Sequence, residues 1–85
     1  MTMETIMLGK RIYPNDEGHL VFSEPGCYGK DRDGLWWCRP PKGGAGVLGD
    51  HRVTEHEDGT ITIEPSILMP GVWHGYLKKG VWEEA

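Results

Sequence analysis

Residues 59–82 constrain the fold more than any other part of the sequence. After an Asp-Gly turn signal, apolar and polar residues alternate, which places Ile61 and Ile63 on one face of a strand. A second alternating segment covers residues 72–77 and carries Trp73 and Leu77 on one face. A Lys-Lys-Gly turn then returns the chain towards Trp82. This stretch therefore predicts half-buried β-strands joined by tight turns.

Glycine and proline divide the rest of the chain into short segments. Thirteen glycines and six prolines occur among 85 residues, and no window repeats apolar residues at helical spacing. Further strands are predicted at residues 3–13, 19–23, 35–38 and 50–57, and residues 51–57 are predicted to form a hairpin with residues 60–67. Residues 27–34 and 39–46 are predicted to be loops. The fold prediction is a single all-β domain over residues 1–85, a compact sandwich or open barrel of about five to seven short strands with little or no helix.

Large aromatic side chains are predicted to supply much of the core. A chain of this length buries only about 60–65% of its unfolded surface, so its stability is limited. Each buried aromatic side chain removes about 150–250 Å² from water, and the chain has four tryptophans, three tyrosines and one phenylalanine. Trp37 and Trp73 are predicted core residues because each lies within an apolar strand.

The charge pattern excludes several classes of function. Nine lysines and arginines are scattered among thirteen aspartates and glutamates, for a net charge of −4. A nucleic-acid-binding protein usually carries a basic stripe, so no nucleic acid is predicted as a partner. No apolar run is long enough to cross a membrane, and residues 1–8 lack the basic and apolar regions of a signal peptide. The prediction is a protein without a membrane partner that is not secreted by a signal peptide.

Cysteine and histidine give the only pattern with chemical potential. Zinc requires thiolate and imidazole ligands that converge tetrahedrally, and Cys38, His51 and His74 are the candidate ligands, one from each strand. His56 belongs to the same group of residues, and Cys27 and His19 are outlying candidates. No close pair such as Cys-x-x-Cys is present, so the prediction is no cofactor, with zinc as the alternative. For His74 the other interpretation is a half-buried imidazole that is hydrogen-bonded to the backbone.

No catalytic residue is predicted. Cys38 follows two tryptophans in an apolar strand, where burial raises the pKa of a thiol and makes it unreactive. Cys27 and Cys38 are also placed where a disulfide across a hairpin is an alternative to free thiols. The carboxylates are numerous, but no pairing between them is specified by their spacing.

Three C-terminal segments carry a family resemblance. They are residues 60–67, residues 73–77 reading Trp-His-Gly-Tyr-Leu, and residues 80–82 reading Gly-Val-Trp. They resemble the C-terminal half of a family of small tailed-phage and prophage proteins of unknown function, which has sometimes been mislabelled ammonia monooxygenase. The resemblance extends more loosely back to Trp37 and Cys38.

The resemblance also bears on the candidate zinc ligands. Members of this family look like small zinc-binding β-proteins with a cysteine-rich segment and a later cysteine just before the Trp-His pair. This chain keeps Cys38 and His74 at matching positions, but it has Gly71 and Val72 where the later cysteine is found. The resemblance thus implies that an ancestral zinc site was replaced by aromatic packing, and it supplies no reaction.

The functional prediction follows from these exclusions. It is a non-enzymatic, phage-encoded protein that docks on a larger phage assembly through exposed aromatic residues. The candidate binding residues are Tyr13, Tyr28, Trp36, Tyr76 and Trp82. The partner would be a phage structural protein or a host protein, with a homo-oligomer as a further alternative. A counter-defence protein that binds a host protein or sequesters a signalling nucleotide is the alternative function, and a small zinc-binding domain is the third. The predicted location is the virion or the host cytoplasm.

Overall fold

The computed structural model describes residues 6–85, which form nine β-strands and no helix. The strands are β1 (Ile6–Leu8), β2 (Lys10–Arg11), β3 (Cys27–Lys30), β4 (Trp36–Cys38), β5 (Gly46–Val47), β6 (Arg52–Glu55), β7 (Ile61–Met69), β8 (Trp73–Lys78) and β9 (Val81–Glu84). The predicted all-β class is confirmed, although the short strands are more numerous than predicted. Within residues 6–85, no helical segment has the length and apolar character that crossing a membrane requires.

The strands are arranged in two sheets. The first has five strands in the order β1-β9-β8-β7-β6, and the second has four in the order β2-β3-β4-β5. All neighbouring pairs are antiparallel except β2 and β3. The chain passes from the five-stranded to the four-stranded sheet at Gly9, whose N–H donates to the carbonyl of Gly80 at 2.8 Å. The strand predicted at residues 3–13 is therefore divided at Gly9, and its residues 3–5 lie outside the described residues.

The C-terminal strands follow the alternation in the sequence. Along β8, Trp73 and Leu77 are buried while His74 and Lys78 are exposed. The β8–β9 turn has positive φ at Lys79 (46°) and Gly80 (78°), which is the pattern of a type I′ turn that matches the twist of paired strands. The predicted hairpin is confirmed.

Strands β6 and β7 form the other predicted hairpin. Arg52 pairs with Glu64 and Glu55 with Ile61, which lie within the predicted hairpin of residues 51–57 and 60–67. Strand β7 then has an irregularity between Ile63 and Ile67 in its pairing with β8. This bulge makes a depression on the outer face of the five-stranded sheet.

The core lies between the two sheets and is centred on Trp82. Trp82 is 0% exposed, and its indole N–H donates to the carbonyl of Gly26 at 2.9 Å. The ring of Trp73 meets it edge to face, with centroids 5.4 Å apart. Ile61 and Leu77 of the five-stranded sheet complete this side of the core, and Tyr28 faces them from the four-stranded sheet. The predicted core position of Trp73 is confirmed.

Residues 19–23 are not a strand, contrary to the prediction. The alternation is present, because Leu20 and Phe22 are half-buried while Val21 is exposed. Among residues 6–85, no strand pairs with this segment. Its backbone is bound instead by side chains and by the N–H of Asn15, which donates to the carbonyl of His19 at 2.8 Å. Asn15 Oδ1 accepts the N–H of His19 at 3.0 Å, and Arg39 Nη1 donates to the carbonyl of Phe22 at 2.9 Å. Half-buried and exposed side chains can therefore alternate along a segment that does not belong to a sheet.

Residues 27–34 are only partly the loop that was predicted. Their first half is β3, which pairs with β4 so that Gly29 lies opposite Trp37. Strand β4 lies inside its sheet, because β3 and β5 flank it. Trp36 and Cys38 share the face towards the core, so Trp37 points away from it and is only half-buried. The predicted core position of Trp37 is wrong.

Candidate functional site

Two of the predicted metal ligands converge on one serine. His51 Nε2 lies 3.1 Å from the carbonyl oxygen of Ser66, and His74 Nε2 lies 3.0 Å from Ser66 Oγ. His74 is exposed, so the half-buried imidazole bound to the backbone, proposed above as the other interpretation, is wrong. Cys38 is buried in the core, with only 3% of its surface exposed. Among residues 6–85, no group of three or more His, Cys, Asp or Glu side chains is arranged to hold a metal ion.

The two cysteines are free thiols on opposite faces of the four-stranded sheet. Tyr28 lies opposite Cys38 and shares its core-facing side, so the adjacent residue Cys27 faces the other way. The structure therefore contradicts the alternative of a disulfide between them. Burial raises the pKa of Cys38 to about 12, which keeps this group in the unreactive thiol form at neutral pH.

We expect both cysteines to resist thiol reagents in the native protein. Both Cys27 and Cys38 are buried, and the thiolate is the species that reacts. Titration with a chromogenic disulfide at pH 8 should give no fast phase, and unfolding in denaturant should release both thiols. Rapid modification of a native thiol would contradict the burial of that side chain.

Two of the five predicted binding residues are not available to a partner. Tyr28 is 1% exposed and Trp82 is 0% exposed, because both side chains fill the space between the sheets. Burial also raises the pKa of the Tyr28 phenol. Their assignment to an exposed face is wrong, since both side chains form part of the core.

Tyr13 and Trp36 are brought together by Arg11. The guanidinium carbon of Arg11 lies 4.6 Å from the centroid of the Tyr13 ring and 5.0 Å from that of Trp36. Lys30 Nζ lies 5.3 Å from the Trp36 centroid, and Glu55 Oε2 accepts from Arg11 Nη1 at 2.9 Å. We call these five residues, Arg11, Tyr13, Lys30, Trp36 and Glu55, the Arg11 face.

Hydrogen bonds hold the Arg11 side chain in place at the centre of this face. Arg11 Nη1 also donates to the carbonyl of Gly59 at 2.8 Å, so one side chain of the four-stranded sheet binds both Glu55 and the β6–β7 turn. The hydrogen bond from Arg11, supported by the charges of Arg11 and Lys30, holds the pKa of the Glu55 carboxyl below its usual range. Glu55 therefore stays ionised at neutral pH and keeps its charge opposite Arg11.

Tyr76 lies on a different surface from the Arg11 face. Its ring is half-buried on the outer face of the five-stranded sheet, with Lys78 Nζ 4.9 Å from the ring centroid. It borders a shallow depression of about 700 Å³ at the β7 bulge, together with Pro65 and Ser66. Of the five predicted binding residues, Tyr13 and Trp36 thus lie together, Tyr76 lies on another surface, and Tyr28 and Trp82 lie in the core.

A second groove lies on the outer side of the four-stranded sheet. Its volume is about 480 Å³, and its apolar walls are Leu20, Phe22 and Trp37. Its polar lining includes Asp31, Arg32 and Asp33. We call it the Trp37 groove.

The glycine-rich segment after β4 does not present its arginine for phosphate binding. Arg39 donates to the carbonyl of Phe22, and its Nε lies 3.4 Å from the carbonyl of Gly43. The guanidinium is thus used to fix two loops to each other. The hydrogen bonds of Arg39 therefore stabilise the loops and do not leave the guanidinium directed at a ligand.

Sequence reasoning missed Arg11, Lys30 and Glu55 as members of the candidate site. One local signal was present, because Arg11 and Tyr13 are two residues apart and share a face of an extended chain. The positions of Lys30 and Glu55 depend on how separate strands come together, for which the sequence gives no direct signal.

Comparison with known proteins identifies no relative, since no family model, curated protein or solved structure matches the chain.

Proposed function

We propose that this chain is a non-enzymatic, phage-encoded protein that docks on a larger phage assembly through the Arg11 face. The phage origin rests on the resemblance of its C-terminal segments to small phage and prophage proteins. The observation that carries the docking surface is the packing of the Arg11 guanidinium between the rings of Tyr13 and Trp36.

The composition of the Arg11 face suits protein recognition. Tryptophan, tyrosine and arginine are the residue types most enriched among those that dominate binding energy at protein interfaces. Tyr13 is 65% exposed, so its ring offers a large apolar surface to a partner. Lys30 and Glu55 lie at the margin, where charged side chains favour specificity and orientation over affinity.

The rigidity of the Arg11 face also favours binding. A flexible arginine loses about 0.5–1.5 kcal/mol of side-chain freedom when a partner immobilises it. Arg11 is already held by Glu55, by the Gly59 carbonyl and by two aromatic rings. The Arg11 side chain therefore loses its conformational freedom during folding, and little more is lost when a partner binds.

The test is the amount of this protein in purified particles of the phage that encodes it. We expect the wild-type chain in many copies per particle, and Tyr13→Ala should reduce its affinity for the particle about 5- to 30-fold, the range for truncating a central interface residue. Leu68→Ala is the matched control, because Leu68 is 62% exposed on the other sheet. Both variants should keep the wild-type melting temperature, since neither side chain is buried.

Two outcomes would contradict the proposal in different ways. A chain that is abundant in infected cells but missing from particles would favour the counter-defence alternative. A particle that incorporates Tyr13→Ala and wild type equally would show that docking uses another surface.

A further inference from the structure

The Trp37 groove is separate from the Arg11 face. Successive residues of a strand point to opposite sides of the sheet, so Trp36 contributes to the Arg11 face while Trp37 contributes to the groove. Its volume of about 480 Å³ lies within the range of about 300–1,000 Å³ that is typical of ligand pockets. What this groove binds does not depend on the docking role of the Arg11 face.

Hydrogen bonds fix the walls of the groove. The indole N–H of Trp37 donates to Asp31 Oδ2 at 2.9 Å, and Asp31 Oδ1 accepts the N–H groups of Asp33 and Leu35, both at 2.9 Å. On the opposite wall, the Phe22 carbonyl accepts from Arg39 Nη1. The tryptophan ring and the loop that carries Phe22 are therefore positioned before any ligand enters.

The chemistry of the lining favours a cation. Indole is the best aromatic partner for a cationic group, and the carboxylates of Asp31 and Asp33 border the same groove. The N–H groups of Leu35 and Trp37 hold the pKa of Asp31 below its usual range, so this carboxylate is charged at neutral pH. The basic residues among the described lining are His19 and Arg32. The Arg32 side chain lies along the turn at Gly18, where a Cβ atom would be 2.9 Å from Arg32 Cδ.

We propose that the Trp37 groove binds an arginine side chain presented by an extended, basic segment of a partner protein. A planar guanidinium can lie against the indole ring while it donates hydrogen bonds to a carboxylate, and an ammonium cannot do both as well. The net charge of −4 attracts a basic segment.

A peptide titration followed by NMR tests this site. The probe is a blocked pentapeptide with a central arginine between glycines, and the control peptide replaces arginine with citrulline, which has nearly the same shape without the charge. The chain has four tryptophans, and the loss of one indole N–H signal in Trp37→Phe identifies that of Trp37. We expect a saturable shift of this signal with the arginine peptide, and binding at least about tenfold weaker with citrulline, the ratio that corresponds to about 1.4 kcal/mol.

Two variants with the same change in net charge test whether a carboxylate in the groove contributes to the affinity for the arginine peptide. Asp33→Asn should weaken arginine-peptide binding by about 3- to 10-fold, whereas Glu84→Gln makes the same change in net charge away from the groove and should alter binding less than about twofold. Both side chains are exposed, so both variants should fold.

Four results would overturn the proposal. The first three are the absence of any Trp37 shift up to about 10 mM peptide, equal binding of the citrulline peptide, and equal effects of Asp33→Asn and Glu84→Gln. A shift confined to the indole signal of Trp36 would likewise assign binding to the Arg11 face and contradict a site at Trp37.

Discussion

Trp82→Ala should lower the free energy of unfolding by about 3–5 kcal/mol, the range for removing a large buried aromatic side chain. Trp82 is completely buried, and its ring packs edge to face against Trp73. The substitution also removes one of two donors to the Gly26 carbonyl, which still accepts the N–H of Lys10 at 3.1 Å, and losing one such hydrogen bond adds about 0.5–1.5 kcal/mol. Because a small domain has about 5–15 kcal/mol of total stability, this variant should be largely unfolded or close to it.

Urea denaturation measures this effect, with near-ultraviolet circular dichroism reporting the packing of the aromatic rings. Trp82→Phe separates the two contributions, because it keeps an aromatic ring but loses the hydrogen bond to Gly26. We expect it to be destabilised by about 1–3 kcal/mol, of which the lost hydrogen bond contributes about 0.5–1.5 kcal/mol and the smaller ring the rest. An unchanged unfolding midpoint for Trp82→Ala would show that Trp82 is not at the centre of the core.

Gly75→Ala should destabilise the protein through steric overlap, although it adds one methyl group. A Cβ atom at Gly75 would overlap the carbonyl oxygen of Glu83 on the neighbouring strand and would lie 2.5 Å from Trp73 Cη2. The methyl group would therefore have to separate β8 from β9 and displace the Trp73 ring. Overpacking of this kind costs about 1–3 kcal/mol and more where backbone must move.

Gly44→Ala is the matched control for Gly75→Ala. Apart from its chain neighbours, no described residue has an atom within 4 Å of a Cβ at Gly44, so the stability of this variant should stay within about 0.5 kcal/mol of wild type. Chemical denaturation of the two variants under the same conditions gives the comparison. Equal stabilities would contradict the close approach of Trp73 to the β8 backbone.

The C-terminal hairpins were predictable because local pattern and tertiary environment agree there. Residues 60–67 and 72–77 alternate with the period of a strand, and the Lys79-Gly80 turn has a residue type suited to positive φ. Residues 19–23 show the limit of this reasoning, since their alternation reflects partial burial against a sheet. Periodicity reports which side chains are covered, whereas pairing depends on whether a neighbouring strand has free hydrogen-bonding groups.

The candidate site was predictable in parts. Tyr13 and Trp36 could be named as aromatic binding residues, but Tyr28 and Trp82 could not be distinguished from them by residue type. The distinction depends on which face of each strand meets the other sheet, and this is decided by contacts between residues distant in sequence. Arg11 and Glu55 illustrate the same limit, because they are 44 positions apart and meet through one hydrogen bond.

The pairing of β1 with β9 also affects how the molecule responds to tension. Ile6 lies opposite Glu83 and Leu8 opposite Val81, so the beginning of the described chain and its end leave the sheet at the same place. Because the two strands are antiparallel, a force that draws these ends apart loads their hydrogen bonds one after another instead of all together. The domain would therefore open from this edge like a zipper, at a lower force than strands pulled in shear. If the protein is attached through the Arg11 face, the force acts on the side chains of that face and not on the hydrogen bonds between β1 and β9.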